Sequence, residues 1–220
     1  MDPVWPEIGL FEALHTLKSM RRLRPDPVPR ELIARVIEAG TMAPSGGNRQ
    51  PWAFLVVEQA EVKRFIQERY RQAFYAAYGE AVARIEDPVM PAGTRRMLRS
   101  AAHLAEHLHE APVHLFCCVE KYPPDHPTRP GQPQYASIFP AVQNILLACR
   151  GLGLGATLTT LHTTAEAEIN ARLGIPDSVA SPALIPIGYP LGRWGRPERR
   201  PADEVTSWER WGSRGPEAGR

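Results

Sequence analysis

Cysteine is scarce. Three in 220 residues are too few, and too odd in number, to staple a disulfide scaffold. Cys117 and Cys118 are adjacent inside an apolar run, where a strand would point them to opposite faces, and Cys149 sits in a helical pattern. All three read as buried, reduced thiols. No apolar run approaches the ~20 residues of a membrane span. The first residues lack the basic-then-apolar pattern of a secretory leader, so a cytoplasmic location without membrane attachment is expected. An excess of one charge is missing too. The formal net charge is +2, so the whole-chain balance gives no reason to expect nucleic acid as a partner. There is no G-x-S-x-G elbow, no nucleic-acid-reading module and no internal repeat.

What is present reads as one globular domain over residues 1–220, with 43% hydrophobic and 23% charged residues. Leu10, Ala13, Leu14 and Leu17 predict a helix over 7–19, and Leu32, Ile33, Val36 and Ile37 a second one starting near Pro29. Residues 43–51 must be a loop, and 52–58 a strand. Helices are expected over 61–86 and 93–110, the first with Phe65, Tyr70, Phe74, Tyr75 and Tyr78 as core or dimer contacts. A buried strand over 113–120, a Pro-rich loop over 122–135 and an apolar, central helix over 136–150 follow. A short strand is expected over 156–160, a helix from Thr164 to Gly174, and a last strand over 183–188. This mixture lacks strict βαβ alternation and predicts an α+β fold, with a central mixed or antiparallel sheet flanked by helices. The polar tail from about residue 190 to 220 has little core pattern and would cost entropy to order alone, so it is expected to pack on a neighbouring subunit.

Two strings imitate known motifs. His103-Leu104-Ala105-Glu106-His107 matches the H-x-x-E-H of inverted zinc proteases. It reads instead as the polar face of an amphipathic helix, extended by His109 and Glu110, so no metal ligands are assigned and a zinc hydrolase is a distant alternative. Gly151-Leu152-Gly153-Leu154-Gly155 resembles a dinucleotide fingerprint, but these glycines follow a helix and precede a strand, the reverse of what that motif needs. Gly151 or Gly153 is expected to cap the helix.

The informative stretch is KSMRRLRPDPVPRELIARVIEAGTMAPSGGNRQPW, from Lys18 to Trp52. Its basic start, its Pro-Val-Pro, its amphipathic helix and its Ala-Pro-Ser-Gly-Gly-Asn-Arg-Gln-Pro-Trp loop resemble the FMN-dependent nitroreductase family. The resemblance continues through Pro140-Ala141-Val142-Gln143-Asn144, the glycine-rich turn and residues 183–200, and so covers most of the chain. It implies an α+β sandwich and an intertwined homodimer with two FMN sites. It further implies a ping-pong reaction in which NADH or NADPH gives a hydride to FMN and a nitroaromatic, quinone or related small acceptor then takes it.

The resemblance also implies roles. Lys18, Ser19 and Arg21, followed by Arg22, match the segment that holds the phosphate and ribityl chain. Pro44 is structural, and Ser45, Gly46, Asn48 and Gln50 match the loop beside the ring, supplied in part by the other subunit. Thr160 and Leu161 fall where backbone amides lie near the reactive nitrogen, and Arg199 with Arg200 match the basic group that returns to the phosphate. No side chain is expected to act as catalytic acid or base, because the flavin carries the chemistry. The physics agrees: a phosphate carries close to two negative charges that arginine neutralises bidentately, and small loop residues allow close approach to a flat ring. Leu17 departs from the pattern, standing where many relatives carry the first of two arginines. Alternatives on the same scaffold are a flavin-consuming or reductively dehalogenating enzyme, and outside it a flavin-binding storage or sensor protein without turnover.

Overall fold

The computed structural model describes residues 8–214. The elements in chain order are α1 (Leu10–Thr16), α2 (Arg30–Thr41), β1 (Trp52–Val57), α3 (Ala60–Ala83), α4 (Ala92–His107), β2 (Val113–Glu120), α5 (Tyr135–Gly151), β3 (Gly155–Ala156), α6 (Glu166–Leu173) and β4 (Val179–Gly188). The strands form one sheet in the order β1-β2-β4-β3, and every pairing is antiparallel.

Alternation along β2 builds a core on each face of the sheet. Val113, Leu115, Cys117 and Val119 face α2 and α5, where Leu32, Ile33, Val36, Ile138, Val142 and Ile145 are buried against them. Phe116 and Cys118 face the other way, toward Ile66, Tyr70 and Phe74 of α3, Leu104 of α4 and Ile169 of α6. The two adjacent cysteines therefore enter opposite cores, and all three thiols are free and buried. Burial pushes the Cys149 thiol up to about 12 and Cys118 up to about 11, so both stay protonated at neutral pH.

Several boundaries differ from the sequence expectation. The first helix ends at Thr16 rather than 19, because Leu17 is extended (φ −61°, ψ 126°) and the chain leaves to pair with the sheet. Its expected start at residue 7 lies outside the described residues. The long helices close at Ala83 and His107, the second continuing as a 3₁₀ turn over Leu108–Glu110. The expected strand over 156–160 is only Gly155–Ala156; the chain leaves the ladder and returns at Thr159, which exchanges backbone hydrogen bonds with Leu184 at 2.9 and 3.0 Å. A 3₁₀ turn, Leu161–Ala165, precedes α6, which starts at Glu166 rather than Thr164 and is capped by Gly174 at φ 70°. The last strand begins four residues early, at Val179, because Ser181 and Pro182 fall where the β2–β4 register shifts. A proline without an N–H is tolerated at such an irregularity. No helix among the described residues is long and apolar enough to cross a membrane.

Candidate functional site

The two basic stretches meet because the strip after α1 is stitched to the end of the sheet. Met20 N–H donates to Ala156 O (3.0 Å), Arg24 N–H to Tyr189 O (2.8 Å) and Leu191 N–H to Arg22 O (3.0 Å), with Leu23 bridging Pro190. The crossing is tight at Gly155, where a Cβ would lie 2.7 Å from Leu23 Cδ2 and 2.9 Å from Pro190 Cβ. Only glycine permits that approach. Arg150, buried at the end of α5, holds the outgoing arm. Its guanidinium lies 4.6 Å from the centre of the Trp194 ring and donates to Thr16 Oγ1 (2.8 Å) and Glu12 Oε1 (3.3 Å).

The result is a cleft of about 830 Å³. Lys18 and Ser19 line it from the strip, Arg196, Glu198, Arg199 and Arg200 from the arm, and Gln143 from α5. Lys18 Nζ comes within 4.0 Å of where a Cβ on Gly195 would lie. Lys18, Arg196 and Arg200 have no hydrogen-bond or ion-pair partner among the described residues, and Arg199 donates only to the carbonyl of Glu198 (2.8 Å). Unpaired cations around one cleft suit an anion of two charges. Arg196 and Gln143 were not singled out as site residues by sequence. Gln143 was legible as one of a few polar side chains, with Asn144 beside it, on a mostly apolar helix.

A second cleft, of about 390 Å³, adjoins the first, and Leu158 lines both. Its walls are Arg21, Tyr70, Phe74, Tyr78, Leu98, Leu104 and the run Thr159-Thr160-Leu161. Thr160 precedes the 3₁₀ turn, so the first amides of that turn lack partners within it. Thr159 Oγ1 donates to Tyr70 Oη (2.9 Å). Burial pushes the Tyr70 phenol up and the Arg21 guanidinium down. Arg21 has no carboxylate partner among the described residues, leaving one positive charge at the edge of an aromatic, mostly apolar slot suited to a flat ring. Tyr70 and Phe74 were read from sequence as core or dimer contacts; they are buried, and also wall this cleft.

The Pro44–Gln50 loop lines neither cleft within one chain. It is strained and exposed: Gly47, Asn48 and Gln50 have φ of 60°, 53° and 50°, and Asn48 and Gln50 are uncommon residues for that region. Ser45 Oγ accepts from Gln50 N–H (3.0 Å), and Gln50 Nε2 donates to Asn48 Oδ1 (3.3 Å). A Cβ on Gly46 would meet nothing within 4 Å, so packing in its own chain does not require this glycine. Arg22 also falls elsewhere: it lines a different cleft, with arginines of α4. This corrects its grouping with Lys18, and the reason is local. In extended backbone, Arg21 and Arg22 point to opposite sides.

The two imitating strings have structural uses. His103 and His107 stack at 4.3 Å, His107 Nδ1 bonds Glu110 (2.8 Å), and Glu106 accepts from Arg71 (2.8 Å). Gly153, at φ 74°, closes α5, with Leu154 N–H donating to Cys149 O (2.8 Å).

A nitroreductase family model matches residues 17–189. The chain belongs to the nitroreductase family. It is 29% identical over 214 residues to an NADH dehydrogenase of Thermus thermophilus, covering 94% of this chain and 100% of that one. It is also 29% identical over 213 residues to the 5,6-dimethylbenzimidazole synthase of Rhodospirillum rubrum, covering 91% and 94%. Among solved structures, the FMN and NADPH-dependent nitroreductase NfnB of Sphigopyxis sp. strain HMH superposes with a TM-score of 0.67 at 25% identity, covering 93% and 100%. These matches make the chain an oxidoreductase-family protein on the nitroreductase fold. The relatives' names differ in reaction, so the activity is a narrower question than the family.

Proposed function

We propose that this protein is a cytoplasmic, FMN-dependent homodimeric oxidoreductase that takes a hydride from NADH or NADPH and reduces a nitroaromatic, quinone or related small acceptor. One observation carries the reading: Lys18 and Ser19 from one end of the chain and Arg199 and Arg200 from the other line a single cationic cleft, which opens at Leu158 into an aromatic slot. The residues present fit FMN at both ends. The unpaired cations match a phosphate dianion, and the slot beside Tyr70, Phe74 and Leu161 matches an isoalloxazine ring. FMN, when bound, supplies the hydride acceptor and donor.

The chain's own residues bind and tune. Lys18, Ser19, Arg199 and Arg200 neutralise the phosphate, while Arg21 favours negative charge on the ring's polar edge. Amides at Thr160 and Leu161 offer donors to the ring's reactive edge. Pro44 shapes the loop, and Ser45, Gly46, Asn48 and Gln50 complete the site from the second subunit. The open space around Gly46 and the strained backbone beside it support this. The arm from about residue 190 packs on that subunit, in keeping with Trp208 and Trp211, exposed by 58% and 100% in a single chain.

The test is an absorbance spectrum of the purified protein, then anaerobic titration with NADH and NADPH and sedimentation to measure the subunit number. A flavin spectrum bleached by either nucleotide is expected. Protein that is colourless and fails to take up added FMN overturns the reading. Bound FMN that neither nucleotide reduces would mark a flavin-binding protein without turnover.

A further inference from the structure

A third cleft, of about 580 Å³, lies on the far side of α4 from the aromatic slot. Its lining is Arg22 from the strip and Ala92, Arg95, Arg96, Arg99 and Ser100 from α4. Met97, Leu98 and Ala101 of the same helix line the aromatic cleft. The two clefts thus flank one helix, about 10–12 Å across with its side chains.

The charge on this cleft is not balanced. Arg99 is held by Glu86 at 2.6 and 2.8 Å. Arg95 donates to the carbonyls of Asp87 (3.0 Å) and Met90 (3.1 Å), while its buried Nε has no partner. Asp87 itself accepts from Val89 N–H (2.9 Å) and Arg84 (3.2 Å). The side chains of Arg22 and Arg96 have no hydrogen-bond or ion-pair partner among the described residues. Two guanidinium groups therefore stand uncompensated beside the Ser100 hydroxyl. A phosphate monoester carries about −1.5 to −2 at neutral pH and presents three acceptor oxygens, which match that donor set.

We propose that this arginine cleft binds the 2′-phosphate of NADPH and makes NADPH the preferred hydride donor. The inference rests on the flavoenzyme reading above and assigns what that reading leaves open. NADPH differs from NADH only in that phosphate, and arginine is the residue that accommodates it in other nucleotide sites. With the nicotinamide in the aromatic cleft, two riboses and a pyrophosphate separate it from the 2′ position, enough to span the width of α4. Arg96 is the discriminating residue: it is exposed, has no carboxylate partner, and touches neither cleft assigned to FMN.

The experiment measures kcat/KM for NADPH and NADH on FMN-loaded wild type, Arg96→Gln and Arg96→Glu. In parallel, adenosine 2′,5′-bisphosphate and 5′-AMP are titrated calorimetrically into flavin-free protein. Wild type should favour NADPH by roughly tenfold or more, the worth of one charge-assisted contact. Arg96→Gln should lose that preference with its NADH value unchanged, and Arg96→Glu should reverse it. The bisphosphate should bind wild type more tightly than 5′-AMP does, and Arg96→Gln should abolish the difference. Equal use of both nucleotides by wild type, or an equal fall for both in Arg96→Gln, overturns the proposal. So does bisphosphate binding no tighter than that of 5′-AMP. Failure to take up FMN would instead sink the flavoenzyme reading, and the bisphosphate titration would still judge the arginine cleft.

Discussion

The two faces of the sheet are packed with different chemistry. The face under α2 and α5 is closed by aliphatic side chains and thiols. The face under α3, α4 and α6 is built around aromatic rings, holds the buried histidines His114 and His162, and leaves an open cleft beside Tyr70 and Phe74. A face filled with aliphatic side chains maximises burial and leaves no room for a ligand. Large flat side chains span more space and leave slots between them, at the cost of packing. The difference teaches that the aliphatic face is given over to packing, while the aromatic face and the sheet edge leave room for a ligand.

The largest effect should come from the closed face. Ile145 is fully buried in α5, and Ile145→Ala should cost about 2–5 kcal/mol in equilibrium denaturation. Phe74→Leu, on the open face, should cost less than about 1.5 kcal/mol and change the KM of the acceptor. A larger stability loss for Phe74→Leu would break the comparison.

Acid should loosen the open face first. Burial pulls the His114 imidazole from 6.5 down to about 4, and His162 shifts in the same direction. Both are held neutral in the native state, so the unfolded chain binds more protons between those values. Their contribution is complete above about pH 6.5 and is lost as pH falls toward 4; for His114 it amounts to about 3 kcal/mol. Denaturation between pH 7 and 4 should show this slope, and His114→Gln should flatten it. Hydrogen exchange should report opening of α3 and α4 before α5; uniform opening would count against the contrast between faces.

At the edge where the clefts meet, loss of charge should weaken FMN without unfolding anything. The double variant Lys18→Ala/Arg199→Ala should lower FMN affinity by roughly 10- to 100-fold, read by flavin fluorescence, with the melting temperature of the flavin-free protein unchanged. A fall in that melting temperature would show that these side chains also support the fold. The smallest effect is Tyr70→Phe, which removes the acceptor of the Thr159 hydroxyl and should cost about 1 kcal/mol by thermal melting.

The closed face was the more legible in the sequence. The patterns of α2 and α5 are strong because each buries aliphatic residues against the sheet. Cys117 and Cys118 were read correctly as facing opposite ways from strand alternation alone. Boundaries failed where tertiary pairing overrides local pattern. Leu17 continues a helical period, yet the backbone turns out there to pair Met20 with Ala156. The last strand was expected only from Ala183, because nothing in sequence marks the register shift opposite Ser181 and Pro182. Of the site, the joining of Lys18 and Ser19 with Arg199 and Arg200 was legible through family resemblance. The separation of Arg22 from that group was not, since it depends on which side of an extended strip each side chain leaves. The arginines of α4 carry no motif; their convergence with Arg22 exists only in three dimensions.

The stitching of strip to arm across Gly155 has a consequence for the life of the chain. Lys18 and Arg199 stand about 180 residues apart, on either side of every strand, so a growing chain cannot assemble its cationic cleft until the arm has followed the sheet. A chain that stops at Gly188 contains every strand described yet lacks three of the four Lys and Arg side chains of the cleft. Acquisition of the cofactor would then mark synthesis of the arm, and products truncated before it would be left empty and open to the proteases that clear them.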